Sequence, residues 1–156
     1  MKVFLSARYS RREELKTIRE VLKSYDIEVC SRWLDTEWTE TERESNVYSS
    51  AAPPEYREQY AQWDKEDVLA CDVFIAFTEQ PRSNGRGGRH VEFGIAVASG
   101  KKLLVVGPRE NIFYYLPSIR QIVSEPNWNT VQFAPEIANM VLWWDRTEEM
   151  MKNGEV

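Results

Sequence analysis

The strongest constraint on the fold lies between residues 73 and 106. Val73-Phe-Ile-Ala-Phe77 is an unbroken apolar run and Leu103-Leu-Val-Val106 is another. Between them lies Gly85-Arg-Gly-Gly-Arg-His-Val-Glu-Phe-Gly-Ile-Ala-Val-Ala-Ser-Gly100. Short apolar runs bounded by turn residues fit strands buried on both faces. Strand, glycine-rich turn, short helix and strand make a βαβ unit. In sheets built from such units, ligands sit beyond the carboxyl ends of the strands, where this turn falls. The pattern puts Glu92 in the first turn of the helix, where backbone N–H groups have no partner and the dipole favours an ionised carboxylate. A carboxylate held charged beside a glycine-lined hollow suits nucleophilic attack, although acidic residues also gather in first turns for the dipole alone. The helix is expected to pack through Val91, Ile95 and Ala98, with Gly100 as its left-handed cap.

The flanking sequence supplies the remaining elements. Residues 2–6 read as a first strand, followed by a helix that opens on a capping box, Ser10-Arg-Arg-Glu13. Leu15, Ile18, Leu22 and Tyr25 give that helix one apolar face; Asp26 ends it, and Ile27-Glu-Val-Cys30 alternates as a second strand. The intervening turn, Ser6-Ala-Arg-Tyr-Ser-Arg-Arg12, is hydroxyl-rich and basic at a helix N-terminus, so it reads either as an anion seat or as a solvated cap. From Asp35 to Pro54 Thr, Ser and Glu dominate, with isolated Trp38 and Tyr48; this is the place for a lid or insertion. A helix from about Glu55 to Cys71 carries a stripe of Tyr56, Tyr60, Val68 and Cys71, with Asp64 inside it. A carboxylate in a core-facing stripe costs desolvation unless it is hydrogen-bonded, so Asp64 is either a site residue or a rim residue that reaches water. Asp72 reads as a turn residue. The loop Gly107-Pro-Arg-Glu-Asn111 lies at a strand's carboxyl end, Ile112-Phe-Tyr-Tyr-Leu116 is either core or a subunit contact, and Ile119–Val123 suggests a fifth strand. A closing helix runs from Pro135 to about Met151, covering the sheet with Ile137, Val141, Leu142 and Trp144.

Composition removes several functions. The net charge of −5 argues against a nucleic-acid polymer as ligand, and no apolar run reaches membrane-spanning length. One His and two Cys without ligand spacing make a metal site unexpected. Cys30 and Cys71, both in or beside apolar segments, read as reduced core thiols of a cytoplasmic protein. At 156 residues, residues 1–156 form one domain with a substantial core.

Three segments in order, Phe4-Leu-Ser-Ala-Arg-Tyr-Ser-Arg-Arg-Glu-Glu14, Asp64 with Ala70-Cys-Asp-Val-Phe-Ile-Ala76, and Gly87-Gly-Arg-His-Val-Glu-Phe-Gly-Ile-Ala96, together resemble the nucleoside 2-deoxyribosyltransferase superfamily. That group includes the 2'-deoxynucleoside 5'-monophosphate N-glycosidases. The first segment and Ser31-Arg-Trp-Leu34 resemble a phage and actinobacterial branch. The resemblance implies an α/β fold: a single flavodoxin-like domain whose central parallel sheet of about five strands carries helices on both faces. It implies cleavage of the N-glycosidic bond of a (2'-deoxy)nucleoside or its 5'-monophosphate, by transfer to an acceptor base or by hydrolysis. Glu92 matches the nucleophile that forms a glycosyl-enzyme ester, and Asp64 the carboxylate that orients the sugar and assists proton traffic. Ser6, Ala7 and Arg8, with Tyr9 beside them, occupy the loop that lines the sugar or its 5'-phosphate; Gly88 lies in the glycine turn, and Asn111 falls near a residue that reaches a neighbouring subunit's site. No metal or organic cofactor is implied, and a homodimer or higher homo-oligomer is.

The chain departs from the family in its arginines. Arg8, Arg11 and Arg12 stand where nucleoside-specific members have a more apolar turn, and Arg86 and Arg89 stand ahead of Glu92 where nucleotide-specific members have smaller residues. Guanidinium groups from two loops converging on the strand ends suit a phosphate. Trp33 is placed either to stack on a base or to pack in the core, and His90 either to act as a general acid or to hydrogen-bond backbone. Two other readings use the same fold: a ribonucleotide phosphoribohydrolase, and a nucleotide-binding module without turnover.

Overall fold

The structure, a computed structural model, describes residues 1–36, 54–79, 87–123 and 129–154. Five strands, β1 (Lys2–Ser6), β2 (Glu28–Val29), β3 (Val73–Phe77), β4 (Lys102–Val106) and β5 (Ile119–Ile122), form one sheet in the order β2-β1-β3-β4-β5. Every pairing is parallel. Helices α1 (Arg12–Ser24), α2 (Pro54–Ala70), α3 (Gly88–Ala98) and α4 (Ala134–Lys152) cover it. This is the flavodoxin-like arrangement, and its strand order changes direction between β1 and β3. The expected lid, residues 35–54, lies almost wholly outside the described residues, as does Arg86.

Period-2 alternation along the strands sorts the core into two layers. Val3, Leu5, Val73, Ile75, Phe77, Leu104 and Val106 face α1 and α4, meeting Leu15, Ile18, Leu22, Ile137 and Val141. Phe4, Phe74, Ala76, Leu103 and Val105 face the other way, meeting Val68, Phe93 and Ala96 of α2 and α3. Ser6 is two residues after Phe4, so it leaves β1 on the side that α2 and α3 cover.

Several local expectations are corrected. The capping box does not form: a 3-10 turn, Tyr9–Arg11, precedes α1, and no side chain caps that helix. Glu13 instead pairs with Arg12 and Lys16, because the tighter turn moves the helix start to Arg12. The stripe on α2 holds only in its C-terminal half, where Val68 is buried; Tyr56 is 48% exposed. Seventeen residues of helix span about 25 Å, against about 17 Å for a five-residue strand, so α2 overhangs the sheet. On α3 the buried positions are Phe93 and Ala96, while Val91 is 64% exposed. Phe93 fixes this register by stacking on Tyr114 at 4.3 Å and meeting Phe74 edge-on at 6.2 Å. Glu92, next to Phe93 and one turn before Ala96, is thereby brought round towards the sheet. Gly100 takes its left-handed conformation at φ +69° as expected.

Candidate active site

The carboxyl ends of β1, β3 and β4 form the floor of the site. β1 ends at Ser6, 2% exposed, whose hydroxyl donates to Glu92 Oε2 at 2.5 Å. Glu92 differs from expectation in two respects. α3 begins at Gly88 after Gly87, whose φ is +87°, so Glu92 lies in the second turn, beyond the unpaired N–H groups. Its carboxyl is also not held firmly ionised. The residue keeps part of its surface accessible, but protein atoms crowd the carboxyl itself, and the resulting desolvation pushes its pKa from 4.5 up to about 7. The Ser6 hydroxyl and Arg89 act in the opposite direction, and the nearby charge of Asp64 adds to the rise.

Asp64, on α2, is raised to about 6, first by burial and then by Asp67, against a lowering by Arg32. The structure therefore brings Glu92, Asp64 and Ser6 near one another from three elements. The core layer on this side of the sheet holds stacked and edge-on aromatics: Phe4 on Phe74 at 5.5 Å, Phe74 on Phe93, and Phe93 on Tyr114. Burial accounts first for the cost of charge at both carboxyls.

The other candidates divide. His90, in the first turn of α3, has Nδ1 3.3 Å from the Tyr114 hydroxyl and Nε2 3.5 Å from Glu110 Oε2. Burial and then Arg89 lower its pKa, leaving the imidazole neutral near pH 7. Trp33 donates its indole N–H to the Leu5 carbonyl at 2.8 Å and packs against both core layers. Tyr9 is 44% exposed, with the Arg12 guanidinium over its ring. Asn111 is exposed and uses Oδ1 to accept the Phe113 N–H at 2.9 Å, capping the 3-10 turn Ile112–Tyr115. Gly88 opens α3, and Arg8 is half-buried.

Two arginines of the first loop are engaged within the protein. Arg11 turns inward, 8% exposed, pairing with Glu14 at 2.9 Å and Glu79 at 3.5 Å and donating to Thr130 Oγ1 at 2.9 Å. Arg12 donates to the Tyr9 hydroxyl and the Thr36 carbonyl. The buried Phe77 ring beneath Arg11 and the acidic partners above it leave that guanidinium no face for a substrate phosphate.

Residues not anticipated from sequence complete the rim. Glu110, its side chain 7% exposed, accepts the Glu79 backbone N–H at 2.5 Å and pairs with Arg89. Asp67 accepts from the Arg32 backbone N–H at 2.9 Å and its Nε at 2.8 Å, fixing the 3-10 turn Arg32–Asp35 that carries Trp33. The only signal for Glu110 was its place in a loop at a strand's carboxyl end, one residue before Asn111. Among the described residues no group of three His, Cys, Asp or Glu side chains could hold a metal ion, and no helix is long and apolar enough to cross a membrane. Both cysteines are free, and burial pushes their thiols up, Cys30 to about 12 and Cys71 to about 11.

No protein-family model matches the chain, and no curated protein matches it. Solved structures do. A CMP N-glycosidase of Clostridium botulinum aligns over 88% of this chain and 98% of its own, with 21% identity and a TM-score of 0.54. A 2-deoxyribosyltransferase of Bacillus psychrosaccharolyticus aligns over 85% of this chain and 90% of its own, with 19% identity and the same TM-score, 0.54. The chain shares the fold of these two enzymes. It is the fold that the sequence resemblance implied, with the strand order and the helical layers already described.

Proposed function

We propose that this protein cleaves the N-glycosidic bond of a nucleoside or nucleotide, with Glu92 attacking the anomeric carbon and Asp64 managing the proton of the departing base. The observation that carries this reading is the hydrogen bond of Ser6, at the end of β1 beside the switch in strand order, to Glu92, with a second desolvated carboxyl, Asp64, in electrostatic range. Two carboxyls in mutual range titrate as a pair, and near neutral pH such a pair holds about one proton. Retaining glycosyl transfer uses the form in which Asp64 holds that proton and Glu92 is ionised, the smaller share of the singly protonated pair because Glu92 has the higher pKa. One carboxylate captures the oxocarbenium-like carbon as an ester, while the other gives its proton to the leaving base. Water or a second base then releases the sugar from Glu92. The two structural neighbours, named for N-glycosidase and deoxyribosyltransferase chemistry, support the same class of bond.

The substrate's 5' end is a free hydroxyl or a phosphate. The inward turn of Arg11 removes one of the reasons for favouring phosphate. Self-association is part of the proposal: Ile112, Phe113 and Tyr115 are 78%, 62% and 65% exposed within four residues.

The test is chromatography after incubation with a panel of ribo- and deoxyribonucleosides and their 5'-monophosphates, with and without a free acceptor base. Base released without acceptor marks a hydrolase, and base exchange marks a transferase. Glu92→Gln is expected to abolish either. Binding of panel members by the wild type with no cleavage of any would leave a binding module instead.

A further inference from the structure

Three groups around the site end on the carboxylate of Glu110. Oε1 accepts the backbone N–H of Glu79, the second residue after β3, at 2.5 Å. The same oxygen pairs with Nη1 of Arg89, in the first turn of α3, and Oε2 lies 3.5 Å from Nε2 of His90 beside it. The side chains of Arg89 and Glu110 are 9% and 7% exposed, so the pair is shielded from water and from salt. Glu110 itself comes from the loop after β4. One carboxylate thus joins the ends of two neighbouring strands to the start of the helix that carries Glu92.

We infer that Glu110 is a positioning residue for Glu92: by holding Arg89 and the first turn of α3 against the ends of β3 and β4, it keeps a guanidinium beside the carboxylate that does the chemistry. The groups facing Glu92 come from several elements. Ser6 of β1 and Arg89 of its own helix favour its ionised form, and Asp64 of α2 opposes it. Tyr114, after β4, is close enough for Glu92 to raise its hydroxyl. Of these influences, Arg89 is the one that Glu110 grips. A neutral residue at 110 still accepts the Glu79 N–H but no longer pairs as an ion with the guanidinium, which loosens its hold on the place beside Glu92.

This inference rests on the proposed role of Glu92, and its test separates the two. Glu110→Gln keeps the shape and one acceptor. In the variant, the Glu92 carboxyl, followed by NMR with carboxyl-labelled glutamate, is expected to titrate about one unit higher than in the wild type. Base release at pH 6 is then expected to fall about tenfold, because the ionised fraction of the nucleophile falls by that factor, and to recover at pH 9 relative to wild type. Rescue by high pH is a signature that loosened packing alone does not produce. A folded Glu110→Gln protein in which Glu92 titrates unchanged, or lower, overturns the inference. Arg89→Gln is the second variant, leaving Glu110 in place but removing the charge it holds. If Glu110→Gln does not fold, a rise of the Glu92 midpoint in Arg89→Gln supports the inference and an unchanged midpoint overturns it. Should the wild type release no base from any substrate, the functional reading fails, while the Glu92 midpoint still decides the role of Glu110.

Discussion

Two demands meet at Glu92: the proposed chemistry needs a carboxylate, and burial disfavours its charge. Its carboxyl titrates near 7 in the fold against an ordinary 4.5. Between those values the folded chain keeps a proton that the unfolded chain releases, so stability is greatest below about 4.5, falls as pH rises, and carries the full penalty above about 7. Glu92→Gln, which cannot ionise, is therefore expected to raise stability at pH 8 by roughly 1–3 kcal/mol and to leave it nearly unchanged at pH 4, measured by urea unfolding at the two pH values. The same shifts predict the activity profile. With Asp64 near 6 and Glu92 near 7, base release should follow a narrow bell whose limbs report those two apparent values. A flat rate from pH 5 to 9 would separate the chemistry from this pair. Neither value was legible in the sequence, which placed Glu92 in a first helical turn and so expected a low pKa. The start of α3 depends on the left-handed turn at Gly87, one of several glycines in the run, and pattern alone does not choose among them.

At the scale of elements, the floor of the site depends on how closely β4 and β3 end together. Gly107 follows β4 with φ +123°, and a Cβ there would lie 2.5 Å from Thr78 Oγ1 and 3.2 Å from the Thr78 carbonyl oxygen. Gly107→Ala is expected to cost about 2 kcal/mol, a fall of roughly 4–8 °C in Tm by calorimetry, and to weaken base release by displacing Thr78 and Glu79. The strands and most helices could be read in advance because their signals are local. Apolar runs gave β3 and β4, and the spacing of Leu15, Ile18 and Leu22 gave α1. The packing face of α3 could not, since both Val91-Ile95-Ala98 and Phe93-Ala96 are apolar at helical intervals. Phe74 and Tyr114, distant in sequence, settle it by receiving Phe93. Arg11 is a similar case. A basic residue at a helix start reads as surface until Glu14, Glu79 and Thr130, from three separate segments, are seen around it. Those are contacts between residues up to 119 positions apart, which no local pattern encodes.

At the scale of the molecule, the exposed Ile112, Phe113 and Tyr115 lie on the loop side of the sheet, on the same connection after β4 as Glu110 and Asn111. Phe113→Glu is expected to convert a sedimenting dimer or larger assembly to monomer in analytical ultracentrifugation, without altering the Glu92 titration. A wild type that sediments as a monomer at all concentrations removes self-association from the proposal. The far edge of the sheet bears on how such an assembly could be built. β2 pairs with only Lys2 and Val3 of β1. Beyond it, Ser31 Oγ accepts the Leu5 N–H at 2.7 Å and the Trp33 indole donates to the Leu5 carbonyl. Side chains thus occupy the backbone positions at which an incoming strand would have to dock. A ribbon of copies zipped strand to strand cannot begin along that stretch of β1, and any second chain meeting this flank must bind through side-chain surfaces instead.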